Sequence, residues 1–243
     1  TYSILLTGIG GTGVITAGAL LGTAAHLDGM GCSVLDQTGV SQKNGAVMSH
    51  VRLSRNPDGT SGTRIGTGGA DLVVGFDMVV AAGREAVTAM HGETTRAVIN
   101  DHMVPLAAFA ENPDMDLNRS GYTDVIGAKL GQDAVDFLNA TQIAIGVSGD
   151  AISANILLLG FAYQKGLLPI SRASLAAAIA LNGVAVEENL RAFAWGRVAA
   201  ADPERIQELT GTVGIDASAA EPGLDDFIIN NGEELLAYQN QAY

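Results

Sequence analysis

The hydrophobic pattern of the first 25 residues predicts a buried strand, a glycine-rich turn and an amphipathic helix. Residues 3–7 form a short apolar run rich in β-prone side chains, which is typical of a strand in a parallel sheet. Four glycines follow at once, namely Gly8, Gly10, Gly11 and Gly13. An apolar stripe at helical spacing comes next, formed by Val14, Ala17, Gly18, Leu21, Ala24 and Ala25.

The same alternation of short apolar runs and helical stripes continues along the chain. Further strands are predicted over residues 32–36, 46–54, 70–77, 95–100 and 141–145, and helices over residues 78–90 and 122–139. Beyond residue 150 only helical stripes remain. The sequence therefore predicts an α/β fold of the Rossmann-like, three-layer αβα type, with a mainly parallel wound sheet and a helical C-terminal part.

The domain organisation follows from this change of pattern. We expect one domain over residues 1–210, with a sheet portion over residues 1–146 and a helical portion over residues 150–210. The chain starts directly on a strand and ends inside an apolar helical pattern, so residues 211–243 are expected to be a linker and the truncated start of a following segment. The sequence thus suggests a piece of a longer polypeptide.

The glycine turn is the first candidate binding site. Glycines let backbone N–H groups approach a ligand, and the helix that follows offers unpaired N–H groups to an anion, so Gly8, Gly10, Gly11, Thr12 and Gly13 are candidate cofactor-binding residues. Asp36 ends the second predicted strand, where an acid binds the ribose in NAD-binding domains. Two interpretations stay open, an NAD-binding domain and a tight turn without a nucleotide.

A polar loop after the second strand is the second candidate. Ser41, Gln42, Lys43 and Asn44 supply a cation and several hydrogen-bond donors at the carboxyl end of that strand, where ligands bind in open α/β sheets. We expect this loop to face the glycine turn and to form an anion-binding cleft with it. The alternative is an ordinary solvated loop. His50 and Arg52 share one face of the next strand, and His50 is expected to be structural.

Composition narrows the classes of function. Among 243 residues, 47% are hydrophobic and 16% are charged, which allows a large core. A net charge of −13 argues against nucleic acid or an anionic membrane as a partner. The single cysteine, Cys32, excludes an internal disulfide and a four-thiolate iron–sulfur cluster within this chain, and a cytoplasmic location is expected.

The search for catalytic patterns gives only fragments. The four histidines lack metal-ligand spacing, and neither a Walker A motif nor a nucleophile elbow occurs. Gly149-Asp-Ala resembles the beginning of a thiamine-diphosphate motif, but the required Asn-Asn pair is absent at the proper distance, since Asn230-Asn231 lies too far away. No catalytic or metal-binding residue is therefore predicted in this chain.

An ordered set of motifs carries a family resemblance. Gly8-Ile-Gly-Gly-Thr-Gly-Val14, Ser41-Gln-Lys-Asn-Gly45, Ala70-Asp-Leu-Val-Val-Gly75 and Asn155-Ile-Leu-Leu-Leu-Gly160 resemble the gamma domain of the 2-oxoacid:ferredoxin oxidoreductases. The stretches Gly149-Asp-Ala-Ile-Ser-Ala-Asn155 and Arg191-Ala-Phe-Ala-Trp-Gly-Arg197 are most similar to the fused bacterial indolepyruvate ferredoxin oxidoreductases. Two departures are Thr12, where the family commonly has Gln, and Lys43-Asn44, where many members have Arg-Gly.

The resemblance implies a role in oxidative decarboxylation. An arylpyruvate, coenzyme A and oxidised ferredoxin would give an acyl-CoA, carbon dioxide and reduced ferredoxin. Thiamine diphosphate with Mg, the [4Fe-4S] clusters and most of the coenzyme A site would lie on partner domains. The isolated chain is then expected to be an inactive accessory domain. A homodimer is left open.

Two other functions remain as alternatives. One is an NAD(P)-dependent dehydrogenase with Asp36 on the ribose, and the other is a non-catalytic nucleotide-binding or regulatory module. A partner-binding domain should also expose apolar surface, and the apolar segment over residues 152–168 is the candidate for it. The alternative for that segment is a helix buried on both sides within this domain.

Overall fold

A mixed sheet forms the centre of the molecule. The structure is a computed structural model, and it describes residues 1–39, 45–57, 59, 62–102 and 119–211. Within these residues the strand order is β2–β3–β1–β4–β5–β6. The strands are β1 (Tyr2–Ile9), β2 (Gly31–Thr38), β3 (Ala46–Ser54), β4 (Leu72–Gly75), β5 (Arg96–Asn100) and β6 (Val135–Leu138).

Helices cover both faces of this sheet. The described helices are α1 (Val14–Leu27), α2 (Met78–Ala81), α3 (Arg84–Ala89), α4 (Arg119–Leu130), α5 (Ala140–Ser148), α6 (Ala154–Gln164), α7 (Arg172–Asn182), α8 (Val186–Ala201) and α9 (Pro203–Gly211). Two short 3-10 turns occur at Gln132–Ala134 and Ala151–Ser153. No helix in the described part of the chain has the length and apolar character that a membrane crossing requires.

Two hydrophobic cores separate the three layers. Ile4 and Leu6 of β1 point to one face, where they join α1 and α5 to α9 in the larger core. Leu5 points to the other face, where it joins α2, α3 and α4 in the smaller core. Strand side chains alternate between the two faces of a sheet, so a strand buried on both faces must be apolar throughout. The predicted three-layer αβα fold with a helical C-terminal part is confirmed.

The order of the strands differs from a simple wound sheet. β1, β4 and β5 are parallel, as predicted, and β6 is parallel to them, but β3 is antiparallel and lies between β1 and β2. β2 and β3 thus form a hairpin rather than two strands joined by a helix. The alternation of polar and apolar residues within a strand is the same whether the strand belongs to a hairpin or pairs with a distant strand. The sequence pattern therefore did not reveal that β3 is inserted between β1 and β2.

Three secondary-structure assignments predicted from the sequence are wrong. Residues 141–145 lie in helix α5, because Asn139 caps it by accepting a hydrogen bond from Gln142 N at 2.8 Å. The last strand is instead β6, inside the segment predicted as a helix over residues 122–139, of which α4 covers only the first part. The predicted helix over residues 78–90 is divided into α2 and α3 at Gly83.

The segment over residues 152–168 follows the alternative of a helix buried on both sides. Residues 156–162 of α6 are all buried, because the sheet lies on one side and α8 on the other. α8 crosses very closely, since a β-carbon on Gly160 would overlap the carbonyl of Phe193, and one on Gly196 would overlap the carbonyl of Leu157. Ile152, just before this helix, is 82% exposed.

Candidate functional site

A cleft opens at the carboxyl-terminal edge of the parallel strands. Its volume is about 280 Å³, and its wall is formed by the ends of β1, β4 and β5, the start of α5 and the 3-10 turn before α6. β1 connects to α1 on one face of the sheet, while the neighbouring β4 connects to α2 on the other face. Adjacent connections on opposite faces create a crevice, where ligands of open α/β sheets bind.

The predicted glycine turn forms one wall of this cleft. Gly11 and Thr12 line it, and both Gly11 and Gly13 adopt a left-handed backbone, with φ of 97° and 78°. Gly8 is the last residue but one of β1, and a β-carbon there would overlap the Thr12 hydroxyl. The Thr12 hydroxyl donates to the carbonyl of Ile9 at 2.8 Å and tightens the turn. The turn was therefore predicted at the correct place.

The role predicted for Gly10 differs from the structure. The N–H of Gly10 donates to the carbonyl of Gly45 at 3.1 Å, so it is used within the protein. The close approach of α1 to the sheet occurs at another glycine, Gly18, where a β-carbon would overlap the Ser49 hydroxyl of β3. The sequence pattern did not distinguish these positions, because each glycine has the same freedom until its neighbours are known.

The second predicted wall lies outside the described residues. Ser41, Gln42, Lys43 and Asn44 fall in the undescribed segment 40–44. The hydrogen bond between Gly10 and Gly45 joins the glycine turn to the residue directly after that segment. β2 runs in the same direction as β1, because each is antiparallel to β3, so the end of β2 and the start of β3 lie at the edge that holds the cleft.

Asn155 and Gly13 are in direct contact at the start of α6. A β-carbon on Gly13 would occupy the position of the Asn155 side-chain amide. The Oδ1 of Asn155 accepts from the N–H of Ile156 at 2.7 Å, whereas its Nδ2 donates no hydrogen bond to the described residues. Asn155 lines the cleft, and its amide thus supplies a hydrogen-bond donor beside the glycine turn.

Asn100 connects the strand ends at the floor of the cleft. Its side chain is 5% exposed and its Nδ2 donates to the carbonyl of Phe76 at 3.3 Å and to the Thr141 hydroxyl at 2.9 Å. Its Oδ1 accepts from His102 N at 3.3 Å. One amide therefore fixes the ends of β4 and β5 and the first turn of α5, which makes the floor rigid.

Asp77 is a buried carboxylate in the cleft wall. Its side chain caps α2 by accepting from Val80 N at 2.9 Å. Burial raises the pKa of Asp77, although the N–H groups of Val80 and Val79 partly offset this by favouring the ionised form. Its hydrogen bonds to the start of α2 identify Asp77 as a structural cap at this position.

Sequence reasoning missed the residues that follow β4 and β5. Phe76, Asp77, Asn100 and His102 line the cleft, together with Thr141 of α5. The sequence did offer one indication of the residues that follow β4 and β5. They come directly after predicted parallel strands, and the carboxyl ends of parallel strands meet at one edge of the sheet. Thr141 could not be found in this way, because its segment was predicted as a strand.

Asp36 does not reach the glycine turn. It lies on β2, is exposed, and pairs in register with Ser49 of β3, which in turn pairs with Leu6 of β1. Two strand spacings of about 4.8 Å each therefore separate its backbone from β1. In the dinucleotide-binding arrangement the acid follows the strand next to β1. The insertion of β3 removes the geometric basis of the NAD-binding interpretation.

His50 is a structural residue in a second hollow of about 540 Å³, on the other face of the sheet. Its ring Nε2 is 2.8 Å from Gln37 Oε1, and its Nδ1 accepts from Ile65 N at 3.3 Å. Burial lowers the pKa of His50, and the charge of Arg64 lowers it further, while Glu85 acts in the opposite direction. No group of side chains suited to a metal ion occurs among the described residues.

Comparison with known proteins decides the family. A family model described as "Pyruvate ferredoxin/flavodoxin oxidoreductase" matches residues 3–199, which cover all the elements from β1 through nearly the whole of α8. The chain belongs to this pyruvate ferredoxin/flavodoxin oxidoreductase family. The resemblance stated from the four ordered motifs is confirmed, and the chain is part of an oxidoreductase that acts on 2-oxo acids.

Curated relatives match this chain along almost their whole length. The protein named indolepyruvate oxidoreductase subunit IorB from Methanothermobacter thermautotrophicus is 27% identical over 205 residues, covering 83% of this chain and 98% of that protein. The protein of the same name from Pyrococcus horikoshii is 29% identical over 208 residues, covering 82% of this chain and 96% of that protein.

Solved structures share the fold at lower identity. The gamma subunit of a keto/oxoacid ferredoxin oxidoreductase from Geobacter sulfurreducens superposes with a TM-score of 0.57 at 22% identity, covering 83% of this chain and 99% of that one. A 2-oxoglutarate:ferredoxin oxidoreductase from Magnetococcus marinus gives a TM-score of 0.59 at 19% identity, covering 82% of this chain and 31% of that one. The same α/β unit thus occurs both alone and within a longer chain.

Proposed function

We propose that this chain is the accessory, gamma-type part of a thiamine-diphosphate-dependent indolepyruvate or arylpyruvate:ferredoxin oxidoreductase. The observation that carries the proposal is the family match over residues 3–199, together with relatives that are named indolepyruvate oxidoreductase subunits and are covered almost end to end. We also propose that residues 1–210 form the gamma-type domain.

The reaction is an oxidative decarboxylation with a two-electron balance. The arylpyruvate, coenzyme A and two oxidised ferredoxins give the aryl-acetyl-CoA, carbon dioxide, two reduced ferredoxins and one proton. Thiamine diphosphate, held by the partner, supplies the carbanion stabilisation that allows the carboxylate to leave. The residues of this chain bind and orient one side of the site, and they take no part in bond cleavage.

The cleft is proposed to form part of the coenzyme A side of that site. Its volume of about 280 Å³ fits an extended arm rather than a whole nucleotide, since pockets for drug-sized ligands span about 300–1,000 Å³. Its lining is mostly apolar, and the Nδ2 of Asn155 offers a donor for an amide-bearing arm. We propose that Gly8, Gly10, Gly11, Thr12 and Gly13 shape this wall and that Ser41, Gln42, Lys43 and Asn44 extend it towards the charged end of the ligand.

The test is reconstitution. The chain alone should give no product from indolepyruvate, coenzyme A and a viologen acceptor. Adding the thiamine-bearing part of the enzyme, produced separately, should give aryl-acetyl-CoA. The acceptor should receive about two electrons for each molecule of aryl-acetyl-CoA that is formed. Product from the chain alone would contradict the accessory role, and a reconstituted complex that oxidises no arylpyruvate would contradict the proposed substrate.

A further inference from the structure

The second hollow lies on the face of the sheet that α2, α3 and α4 cover, and it is called the α3 hollow below. Its volume is about 540 Å³, and its floor includes Leu5 of β1 and Met48 and His50 of β3. Residues 64–67, in the connection before β4, and the helix α3 form its sides. Sites for small molecules span about 300–1,000 Å³, so the α3 hollow has room for a small organic ligand.

The α3 hollow is separate from the cleft at the strand ends. The two share no lining residue. Leu5 comes four residues before Ile9, the last residue of β1, which lines the cleft. A strand rises about 3.3 Å per residue, so about 13 Å of backbone separates the two places. A ligand in one hollow can therefore be distinguished from a ligand in the other.

Arginine side chains give the α3 hollow a positive charge. Arg64 and Arg84 both line it, together with one acidic residue, Glu85. The Oε1 of Glu85 accepts from Nη2 of Arg64 at 2.6 Å. The side chain of Arg84 forms no hydrogen bond or ion pair within the described part of the chain. The hollow thus carries one unneutralised positive charge, although the chain as a whole has a net charge of −13.

The other polar groups of the α3 hollow show which donors remain for a ligand. Both ring nitrogens of His50 already have partners, Gln37 and Ile65, and the Thr88 hydroxyl donates to the carbonyl of Arg84 at 2.6 Å. The Thr67 hydroxyl, by contrast, forms no hydrogen bond to any residue that the structure describes. The guanidinium of Arg84 and this hydroxyl are therefore available to an anion, and a guanidinium binds a carboxylate through two parallel hydrogen bonds.

The floor of the α3 hollow is apolar. Leu5, Met48, Ile65 and Ala89 line it, and each is at most 6% exposed. A methionine thioether makes favourable contacts with aromatic rings, and a guanidinium stacks on an aromatic face. An apolar floor under an arginine rim therefore fits a flat apolar body that carries one anionic group.

We propose that the α3 hollow binds a small aromatic carboxylic acid, with its carboxylate paired to Arg84 and its ring on Met48 and Leu5. A carboxylate fits better than a phosphate group, because one unneutralised arginine balances a single negative charge and a phosphate carries about −1.5 to −2. This site uses none of the residues of the cleft and does not depend on the proposed function.

Four probes that separate charge from apolar contact test the proposal on the full 243-residue chain. Indole-3-acetate carries both features, indole-3-acetamide has the same ring without the charge, and acetate and inorganic phosphate have charge without a ring. Affinities are measured by titration of backbone amide NMR signals. We expect indole-3-acetate to bind with a dissociation constant of about 1 mM or lower, and the other three at least about fivefold more weakly. Absence of indole-3-acetate binding, or equal binding by any of the other three, would overturn the proposal.

The same titration locates the ligand. Amide signals of Gly66, Thr67 and Thr88, which line the α3 hollow, should shift with indole-3-acetate. Those of Gly11 and Thr12, which line the cleft, should stay in place. Shifts confined to the cleft would assign the ligand to the other site and would overturn the α3 hollow as its binding place.

Two matched variants test the assigned arginine. Arg84 is the exposed first residue of α3, and Arg172 is the exposed first residue of α7, outside the α3 hollow. We expect Arg84→Gln to weaken indole-3-acetate binding at least about fivefold, because a charge-assisted hydrogen bond is lost, and Arg172→Gln to stay within about twofold of wild type. Unchanged binding in Arg84→Gln, or equal weakening in both variants, would overturn the proposal. Thermal unfolding shows that each variant is folded.

A third variant predicts an effect of the opposite sign. Glu85→Gln removes the carboxylate that occupies Arg64, so a second guanidinium becomes available to the ligand. We expect this variant to bind indole-3-acetate about threefold more tightly than wild type, which general damage to the fold would not produce. Weaker binding in Glu85→Gln would contradict the charges assigned to the α3 hollow and overturn the proposal.

Discussion

The left-handed backbone of Gly13 lies against the side-chain amide of Asn155, in space that a β-carbon at position 13 would fill. This contact joins the turn before α1 to the first residues of α6, although Gly13 and Asn155 are 142 positions apart in the chain. It fixes both walls of the cleft relative to each other and explains why glycine stands at this place.

Replacing Gly13 by Ala should therefore destabilise the protein more than the backbone conformation alone requires. Gly11 is a matched control, because it has φ of 97° and a β-carbon added there would meet no atom within 4 Å. We expect Gly11→Ala to cost about 1–2 kcal/mol from left-handed strain, and Gly13→Ala to cost more by about 1–3 kcal/mol from overpacking. Urea unfolding measures both.

A double-mutant cycle identifies the source of the additional cost. Asn155→Ala removes the amide that the new β-carbon would meet, so it should cost less in the Gly13→Ala background than in wild type. Additive effects of the two substitutions on the free energy of unfolding would show that the contact with Asn155 does not cause the additional loss in Gly13→Ala.

The crossing of α6 and α8 should depend on Gly196. A Gly-to-Ala change inside a helix usually stabilises by about 1 kcal/mol, but here the β-carbon would overlap the carbonyl of Leu157. Because the obstacle is backbone, we expect Gly196→Ala to destabilise by about 3 kcal/mol or more, which thermal unfolding can measure. Gly127→Ala in α4 is the control. Its nearest neighbour is the flexible end of Gln132, so no comparable loss is expected.

Stability should fall in mildly acidic solution because of His50. Burial is the main cause that lowers the pKa of His50 in the folded state. The unfolded chain therefore binds a proton at a higher pH than the native protein does. The contribution of neutral His50 to the free energy of unfolding is fully present above the pKa of histidine in the unfolded chain, about 6.5. It is lost as the pH falls below that value towards the lower pKa of the folded state.

Unfolding midpoints between pH 7.5 and pH 5.5, a range of about one unit on each side of that unfolded value, test this contribution. His50→Asn should flatten the decline, whereas His91→Asn, at an exposed position, should leave it in place. A decline that persists unchanged in His50→Asn would assign it to other groups.

Binding of NADH should not depend on Asp36. The exposed carboxylate lies on β2, and β3 separates that strand from the glycine turn. We expect Asp36→Ala to change the free energy of unfolding by less than about 0.5 kcal/mol and to leave a fluorescence titration with NADH unchanged. Tight NADH binding that disappears in Asp36→Ala would restore the dehydrogenase alternative.

The contrast between residues 70–77 and 141–145 shows where prediction from the sequence succeeds. Both are short apolar runs, and both were predicted as strands, but only the first contains one. Asn139 before the second run and the left-handed Gly149 after it are helix caps that were present in the sequence. A run of this length is ambiguous by period alone, so the caps were the better indication.

The sequence by itself determined the local units of this protein: the strand, turn and helix at Gly8 to Gly13, the apolar helices after residue 150, and the family. Those features follow from backbone freedom, side-chain period and motif order, all of which act over a few residues. Only the tertiary structure decided that β3 separates Asp36 from β1 and that Gly13 makes room for Asn155. The physical reason is that strand order and close packing depend on contacts between distant residues, for which many pairings share the same local pattern.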